Sequence, residues 1–141
     1  MHLLGGLLRS DTFTTNCSAD PALEMLYWDV TFLGVAGLSV ERGLSTVDHD
    51  GALCMRKIIE RGNRLVLLCD SSKLGCHSHA QVGPVTLADV LITDIEASPD
   101  TVEEIRALGV EVVVAGEHGG CSEDVMNCEA DLGKRGSFAR R

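Results

Sequence analysis

Aromatic and basic residues are both scarce in this chain of 141 residues. Aromatic side chains make up only 4% of it, so the core must consist mostly of Leu, Val, Ala and Ile. An aliphatic core of this kind suits layers of helices and sheet better than an antiparallel sandwich. Lys and Arg number 12 against 21 Asp and Glu, which gives a formal net charge of −9. Because the DNA backbone attracts basic surfaces, this balance argues against DNA binding by the chain alone.

The motifs that usually mark cofactor, metal or nucleophilic chemistry are also missing. No CxxC pair occurs among the 6 cysteines, which argues against a redox or structural zinc site. The ligands in Cys76-His77-Ser78-His79 are spaced too tightly to close a tetrahedral metal site by themselves. Gly34 and Gly37 form only part of a dinucleotide fingerprint. Neither Ser71 nor Ser72 lies in a G-x-S-x-G elbow. We therefore expect no cofactor, no metal and no nucleophilic catalysis.

Membrane and secretion signals are absent from the sequence as well. No apolar run approaches the roughly 20 residues that span a membrane, and residues 1–8 lack the basic start of a signal peptide. Cys54 lies in a helix-like stretch and Cys69 in an apolar run, where a free thiol behaves as a small hydrophobic group. These features predict a cytoplasmic protein with reduced cysteines.

Strand and helix signals alternate along the chain. Strands are predicted at 29–35, 64–69, 90–93 and 110–115, helices at 20–28, 49–61 and 98–109, and loops at 39–46 and 75–83. This alternation predicts an α/β fold, a mostly parallel sheet with helices on both faces and right-handed crossovers. The strand order stays open. Residues 116–141 are Gly-rich and mixed in charge, so we expect one domain over 1–115 and a poorly ordered tail.

The most informative segment is the apolar run 65–69, which stops abruptly at Asp70-Ser71-Ser72-Lys73. A short apolar run bounded by polar residues is typical of a strand buried on both faces of a parallel sheet. Ligands of such sheets bind just beyond the carboxyl ends of the strands. A carboxylate, two hydroxyls and an ammonium group suit a phosphorylated, hydroxyl-rich small molecule. Two other interpretations stay open, namely that Lys73 is an ordinary surface lysine and that Asp70 only stabilises a turn.

Several spaced motifs occur together in one order. They are Asp29-Val30-Thr31-Phe32-Leu33-Gly34, Gly37, Gly43-Leu44-Ser45-Thr46, Asp70-Ser71-Ser72-Lys73-Leu74-Gly75 and Leu91-Ile92-Thr93-Asp94. In this order they resemble the C-terminal sensor domain of DeoR-type transcriptional repressors, over about residues 3–115. The resemblance implies a fold related to ribose-phosphate isomerases, glucosamine-phosphate deaminases and coenzyme A transferases. It also implies a pocket for a phosphorylated sugar or related metabolite, whose binding changes oligomerisation and releases DNA.

The resemblance also assigns the effector-binding residues. They are Gly34, Gly37, Thr46, Asp70, Ser71, Ser72 and Lys73. The sequence departs from the family at Gly51, where a glutamate is usual, and at Cys17, where glycine is usual. The family's winged helix-turn-helix, its first strand and its Ser/Thr-rich phosphate loop are expected to precede Met1.

We therefore predict an N-terminally truncated sensor domain that is not an enzyme and forms a homo-oligomer. It would reach DNA only through a helix-turn-helix outside this chain. One alternative is a sugar-phosphate isomerase-like enzyme of the same superfamily, with Asp70 or Asp94 as its base. A non-functional remnant is another alternative, because a sheet without its edge partner exposes apolar surface.

Overall fold

The structure is a computed structural model that describes residues 22–116 and two short strands before them. Those strands, β1 (Leu7–Leu8) and β2 (Phe13–Thr14), pair antiparallel. The remaining elements are α1 (Ala22–Met25), β3 (Trp28–Gly34), β4 (Gly37–Ser39), β5 (Gly43–Thr46), α2 (His49–Arg61), β6 (Gly62–Leu68), β7 (Ala80–Gly83), β8 (Val90–Asp94), α3 (Pro99–Ala107) and β9 (Glu111–Ala115). Apart from Gly116, the predicted tail lies outside the described residues, and so does the predicted helix opening at Asp20-Pro21.

The main sheet contains four parallel strands in the order β3-β6-β8-β9. Helix α2 connects β3 to β6, and α3 connects β8 to β9, so the chain crosses the sheet in one direction. The predicted α/β fold with a mostly parallel sheet is confirmed. All four strands therefore end at the same edge of the sheet, where a ligand crevice is expected.

One face of this sheet carries the main hydrophobic core. Alternate strand residues contribute to one buried cluster with side chains from both long helices. Its members include Leu65, Leu67, Leu91 and Val112 of the sheet, Ala52 and Ile59 of α2, and Val102 and Ile105 of α3. On the opposite face, Phe32 and Leu68 are exposed. The burial of successive residues Leu65 to Leu67 explains why β6 is an unbroken apolar run in the sequence.

Local sequence signals fix the starts of the two long helices. The side chain of Asp48 accepts a hydrogen bond of 2.7 Å from the backbone N–H of Gly51, which caps α2, the helix predicted at 49–61. Pro99 occupies the first turn of α3, within the helix predicted at 98–109. Ser98 precedes it, but its hydroxyl makes no capping hydrogen bond. The first described helix ends at Met25 and Trp28 already begins β3, so the predicted end of that helix near residue 28 was too late.

A second sheet forms where loops were predicted. Strands β4, β5 and β7 pair antiparallel, so the loop predictions for 39–46 and 75–83 were wrong in part. These strands are only three or four residues long, and β5 meets β7 more than thirty residues away, at Ser45 and Gln81. The turn between β4 and β5 depends on Gly43, whose φ of +77° favours glycine. This small sheet packs beside the carboxyl-terminal edge of the main sheet.

Two further predictions concern the state of the cysteines and the absence of a membrane-spanning helix. Cys69 is a buried free thiol and Cys76 an exposed one, as predicted for reduced cysteines. Cys54 on α2 is disulfide-bonded, so the prediction of a free thiol was wrong at this position. None of the described helices has both the length and the apolar character needed to cross a membrane.

Candidate functional site

A tight turn follows β6 at the carboxyl-terminal edge of the sheet. Ser71–Lys73 form one turn of 3-10 helix, and Asp70 caps it by accepting hydrogen bonds from the backbone N–H and the hydroxyl of Ser72. From the neighbouring strand end, Asp94 accepts a hydrogen bond of 2.8 Å from the backbone N–H of Ser71. Two carboxylates from adjacent strands therefore fix the backbone of this turn.

Lys73 and Asp70 form an ion pair within the turn. The Lys73 Nζ lies 2.8 Å from Asp70 Oδ2, and the two side chains are 43% and 47% exposed. The hydrogen bond from Lys73, helped by those from Ser72, lowers the pKa of Asp70 to about 2. The same pairing with Asp70 raises the pKa of Lys73. At neutral pH the turn therefore presents a carboxylate and an ammonium group, joined in an ion pair, that a ligand can reach from solvent.

Gly34 and Gly37 lie next to the segments that flank this turn, Gly34 beside the end of β6 and Gly37 beside the segment after Lys73. Gly34 pairs with Leu68, two residues before Asp70. A Cβ atom at Gly37 would lie 2.8 Å from the Cys76 carbonyl oxygen, closer than side-chain carbons approach backbone. Glycine is therefore required at position 37, because β4 passes directly over the segment after Lys73.

Thr46 lies on the second sheet and is buried, with Ala80 of β7 as its strand partner. Among the described residues, no hydrogen bond joins Thr46 to the Asp70–Lys73 turn. Its neighbour Ser45 has a clearer role, since its hydroxyl donates to the Gly37 carbonyl at 3.0 Å and accepts from the Ser78 N–H at 2.8 Å. Ser45 thus holds β4 and the segment after the turn together.

Two features at the carboxyl-terminal edge of the main sheet were not predicted from the sequence. Arg42 Nη1 lies 2.9 Å from His77 Nε2, which places a guanidinium group over the segment that follows the turn. An open cavity of about 420 Å³ lies beyond β8 and β9, and its lining includes Asp94 and Glu96. Hydrogen bonds led by those from Ser71 lower the pKa of Asp94, so the cavity carries a carboxylate at neutral pH. Carboxylates of this kind accept hydrogen bonds from ligand hydroxyls.

The thiol of Cys69 lies directly before the turn. Burial, followed by the nearby charge of Asp70, raises its pKa to about 11. A thiol with this pKa stays protonated at neutral pH and is a poor nucleophile or metal ligand. Among the residues that the structure describes, no three His, Cys, Asp or Glu side chains come together as metal ligands. The carboxylates, hydroxyls and ammonium group at this edge can form ion pairs and hydrogen bonds with a ligand.

Comparison with known proteins identifies a family and several relatives that this chain resembles. The family described as the DeoR C-terminal sensor domain matches residues 1–95. The HTH-type transcriptional regulator GlpR of Haloferax volcanii is 38% identical over 114 residues, which is 80% of this chain and 45% of that protein. The putative aga operon transcriptional repressor of Escherichia coli O157:H7 is 34% identical over 117 residues, 82% of this chain and 43% of the repressor.

A third relative is the HTH-type transcriptional repressor GlcR of Bacillus subtilis, 30% identical over 81% of this chain and 44% of its own length. This chain therefore spans less than half the length of the curated relatives it matches. The predicted resemblance is confirmed by a match that covers most of the chain. The chain belongs to the DeoR C-terminal sensor domain family.

Proposed function

We propose that this domain senses a phosphorylated sugar, or a related metabolite, at the Asp70–Lys73 turn on behalf of a transcriptional regulator. The observation that carries the proposal is the solvent-accessible Lys73–Asp70 ion pair at the carboxyl end of β6. A central strand of a parallel sheet ends there, which is the usual ligand position in such folds. Membership in a family of sensor domains supports the same conclusion.

Each residue of the turn has a distinct role in this proposal. Lys73 binds the phosphate, because its ammonium group is a mobile point charge with three donors. Asp70, released from Lys73, accepts hydrogen bonds from the sugar hydroxyls. Ser71 and Ser72 add short donors at the same edge.

Gly34 and Gly37 belong to the proposed site for a different reason. Without a side chain at Gly34, the ligand approaches the backbone at the end of β3 closely, whereas Gly37 lets β4 lie close to the segment after Lys73. We also include Thr46 in the proposed site, as a lining residue farther from the Asp70–Lys73 turn. Its position on β5, beside Ser45, links the ligand to the second sheet.

A thermal-shift screen of sugar phosphates against the corresponding free sugars tests this proposal. A ligand at about 100 times its Kd stabilises the protein by about 2.7 kcal/mol, so a bound sugar phosphate raises Tm by several degrees. Lys73→Ala should abolish that shift. Lys57→Ala is the matched control, since Lys57 lies on α2 in a partly exposed ion pair with Glu24. No stabilisation by any compound, or equal stabilisation of Lys73→Ala, would contradict the proposal and favour the remnant.

We also propose that the domain does not catalyse isomerisation. A general base works best when its pKa lies near the working pH, whereas the pKa of Asp70 is lowered by Lys73 in the free domain and by bonds from Ser72 that remain when Lys73 binds a phosphate. Asp94 has a lowered pKa as well, and its oxygens already hold the N–H groups of Ser71 and Glu96. Incubation with aldose and ketose phosphates, followed by NMR, should show no interconversion. Turnover that disappears in Asp70→Asn would reverse this conclusion.

The whole regulator is a further part of the proposal. The relatives are named transcriptional regulators and are more than twice as long as their matched part. We propose a cytoplasmic homo-oligomer that reaches DNA through a helix-turn-helix outside this chain. Light scattering with and without the stabilising sugar phosphate measures the oligomeric state. A monomer under both conditions would refute the oligomer.

A further inference from the structure

A second pocket lies between α2 and β7 and shares no lining residue with the Asp70–Lys73 turn. Its volume is about 290 Å³, at the lower end of the range of small-molecule sites. The lining residues are His49, Ala52, Leu53, Arg56, His79, Ala80 and Gln81. None of them is acidic, which is unusual in a chain with a formal net charge of −9.

The guanidinium group of Arg56 is held in place at this pocket. Its Nε donates to the Val82 carbonyl oxygen and its Nη2 to the Gln81 carbonyl oxygen, both at 2.7 Å. These bonds tie α2 to β7 and use only two of the five N–H donors of the group. In the part of the chain that the structure describes, no carboxylate pairs with Arg56. Its orientation is therefore fixed while its positive charge is not neutralised.

Two imidazole groups stand with Arg56 around the pocket. His49 begins α2, and His79 directly precedes β7. No hydrogen bond joins either imidazole to another described residue. An imidazole carries at least one N–H donor whether it is neutral or protonated. The floor is apolar, formed by Ala52, Leu53 and Ala80.

We propose that this pocket binds a small anion, a phosphate or a carboxylate group. Three N–H-bearing side chains that line one pocket, together with a positive charge that no described carboxylate pairs, match the acceptor oxygens of such a group. A metal ion is disfavoured, although two imidazoles are present, because the guanidinium charge of Arg56 repels a cation. The small volume limits the ligand to a compact molecule. The pocket is distinct from the sugar-phosphate site proposed above.

Titrations of the full chain carrying Lys73→Ala, with inorganic phosphate and separately with acetate, test this proposal. Removing Lys73 prevents the turn after β6 from contributing, so failure here is distinguishable from failure of the proposed sensor site. The imidazole resonances of His49 and His79 are followed by NMR, with chloride at matched ionic strength as the control. We expect saturable shifts with at least one of the two anions, and the one that binds more tightly identifies the ligand chemistry.

A variant with His49→Leu and His79→Leu in the same background gives the second readout, by calorimetry. The loss of two donors should weaken binding roughly tenfold or more. This variant leaves the Arg56 bonds to β7 intact, so an unchanged Tm shows that it is folded. Shifts that chloride reproduces, no saturable shift with either anion, or equal binding by the double variant would each overturn the proposal.

Discussion

At the scale of single residues, the turn after β6 depends on carboxylates that are charged at neutral pH. Asp70 is paired with Lys73 and hydrogen-bonded to Ser72, and Asp94 holds the backbone of Ser71. Each of these contacts favours the ionised carboxylate, which is why both pKa values are lowered. The stabilisation from a lowered pKa is present above the ordinary pKa and is lost as the pH falls through the lowered one. These contacts of the turn are therefore fully present at neutral pH and weaken as the pH falls toward the lowered pKa values.

The titration of Asp70 gives the first prediction at this scale. Its carboxyl group should titrate near pH 2, because the hydrogen bond from Lys73 is the largest cause of its lowered pKa. In Lys73→Met that bond is lost while the side chain keeps nearly the same length, so the pKa of Asp70 should rise toward the ordinary value of an aspartate. Carbon-detected NMR of the side-chain carboxyl measures both midpoints. The same midpoint in both proteins would contradict the assignment of this pairing.

The two glycines of the site give a matched pair of substitutions. A Cβ atom at Gly37 would lie 2.8 Å from the backbone of Cys76, whereas at Gly34 its nearest neighbour would be the Leu68 oxygen at 3.9 Å. Gly37→Ala should therefore lower the free energy of unfolding by about 1–3 kcal/mol. Gly34→Ala should change it by less than about 0.5 kcal/mol, as an unstrained surface substitution does. Urea unfolding of both variants measures the difference, and equal losses would refute the close approach of β4.

At the scale of elements, sequence reasoning worked where the structural cause is local. The run 65–69 identifies β6, and Asp48 identifies the start of α2, since both depend on residues within one segment. The second sheet escaped prediction because its strands are short and β5 pairs with the distant β7. The candidate site likewise has one part that the sequence predicts and one part that it does not. The sequence marks the Asp70–Lys73 turn, but the contact between Ser71 and Asp94 requires β6 and β8 to be neighbours, and strand order is not readable locally.

The connection between the two sheets gives a prediction at the scale of elements. The buried Ser45 hydroxyl joins the Gly37 carbonyl to the Ser78 N–H. Ser45→Ala removes both bonds and leaves polar backbone groups without this partner, which should cost about 1–3 kcal/mol of unfolding free energy. Ser39→Ala is the control, because the Ser39 hydroxyl accepts one exposed bond of 3.3 Å from the Arg42 N–H. Thermal unfolding compares the two variants. Equal values of Tm would mean that Ser45 does not hold the second sheet in place.

At the scale of the whole molecule, the excess of acidic over basic residues opposes direct contact of this chain with DNA. A net charge of −9 repels the phosphate backbone. The Debye length grows from about 10 Å at 0.1 M salt to about 30 Å at 0.01 M, so this repulsion strengthens as salt is removed. Proteins that bind DNA through basic surfaces do the opposite and bind more tightly at low salt. The salt dependence is therefore a more sensitive indicator of the sensing role than a single affinity would be.

The last prediction concerns how DNA binding by this negatively charged chain depends on the salt concentration. In fluorescence anisotropy with a labelled duplex, this chain alone should show no saturable binding at about 0.1 M salt and none at about 0.01 M. Sugar phosphates should leave both results unchanged, since we have proposed that the turn at Asp70–Lys73 acts on DNA only through a separate helix-turn-helix. A longer protein that includes such a domain serves as the positive control. Binding by this chain that tightens as salt is lowered would reveal a basic face on the domain, and DNA contact would then have to be assigned to the sensor itself.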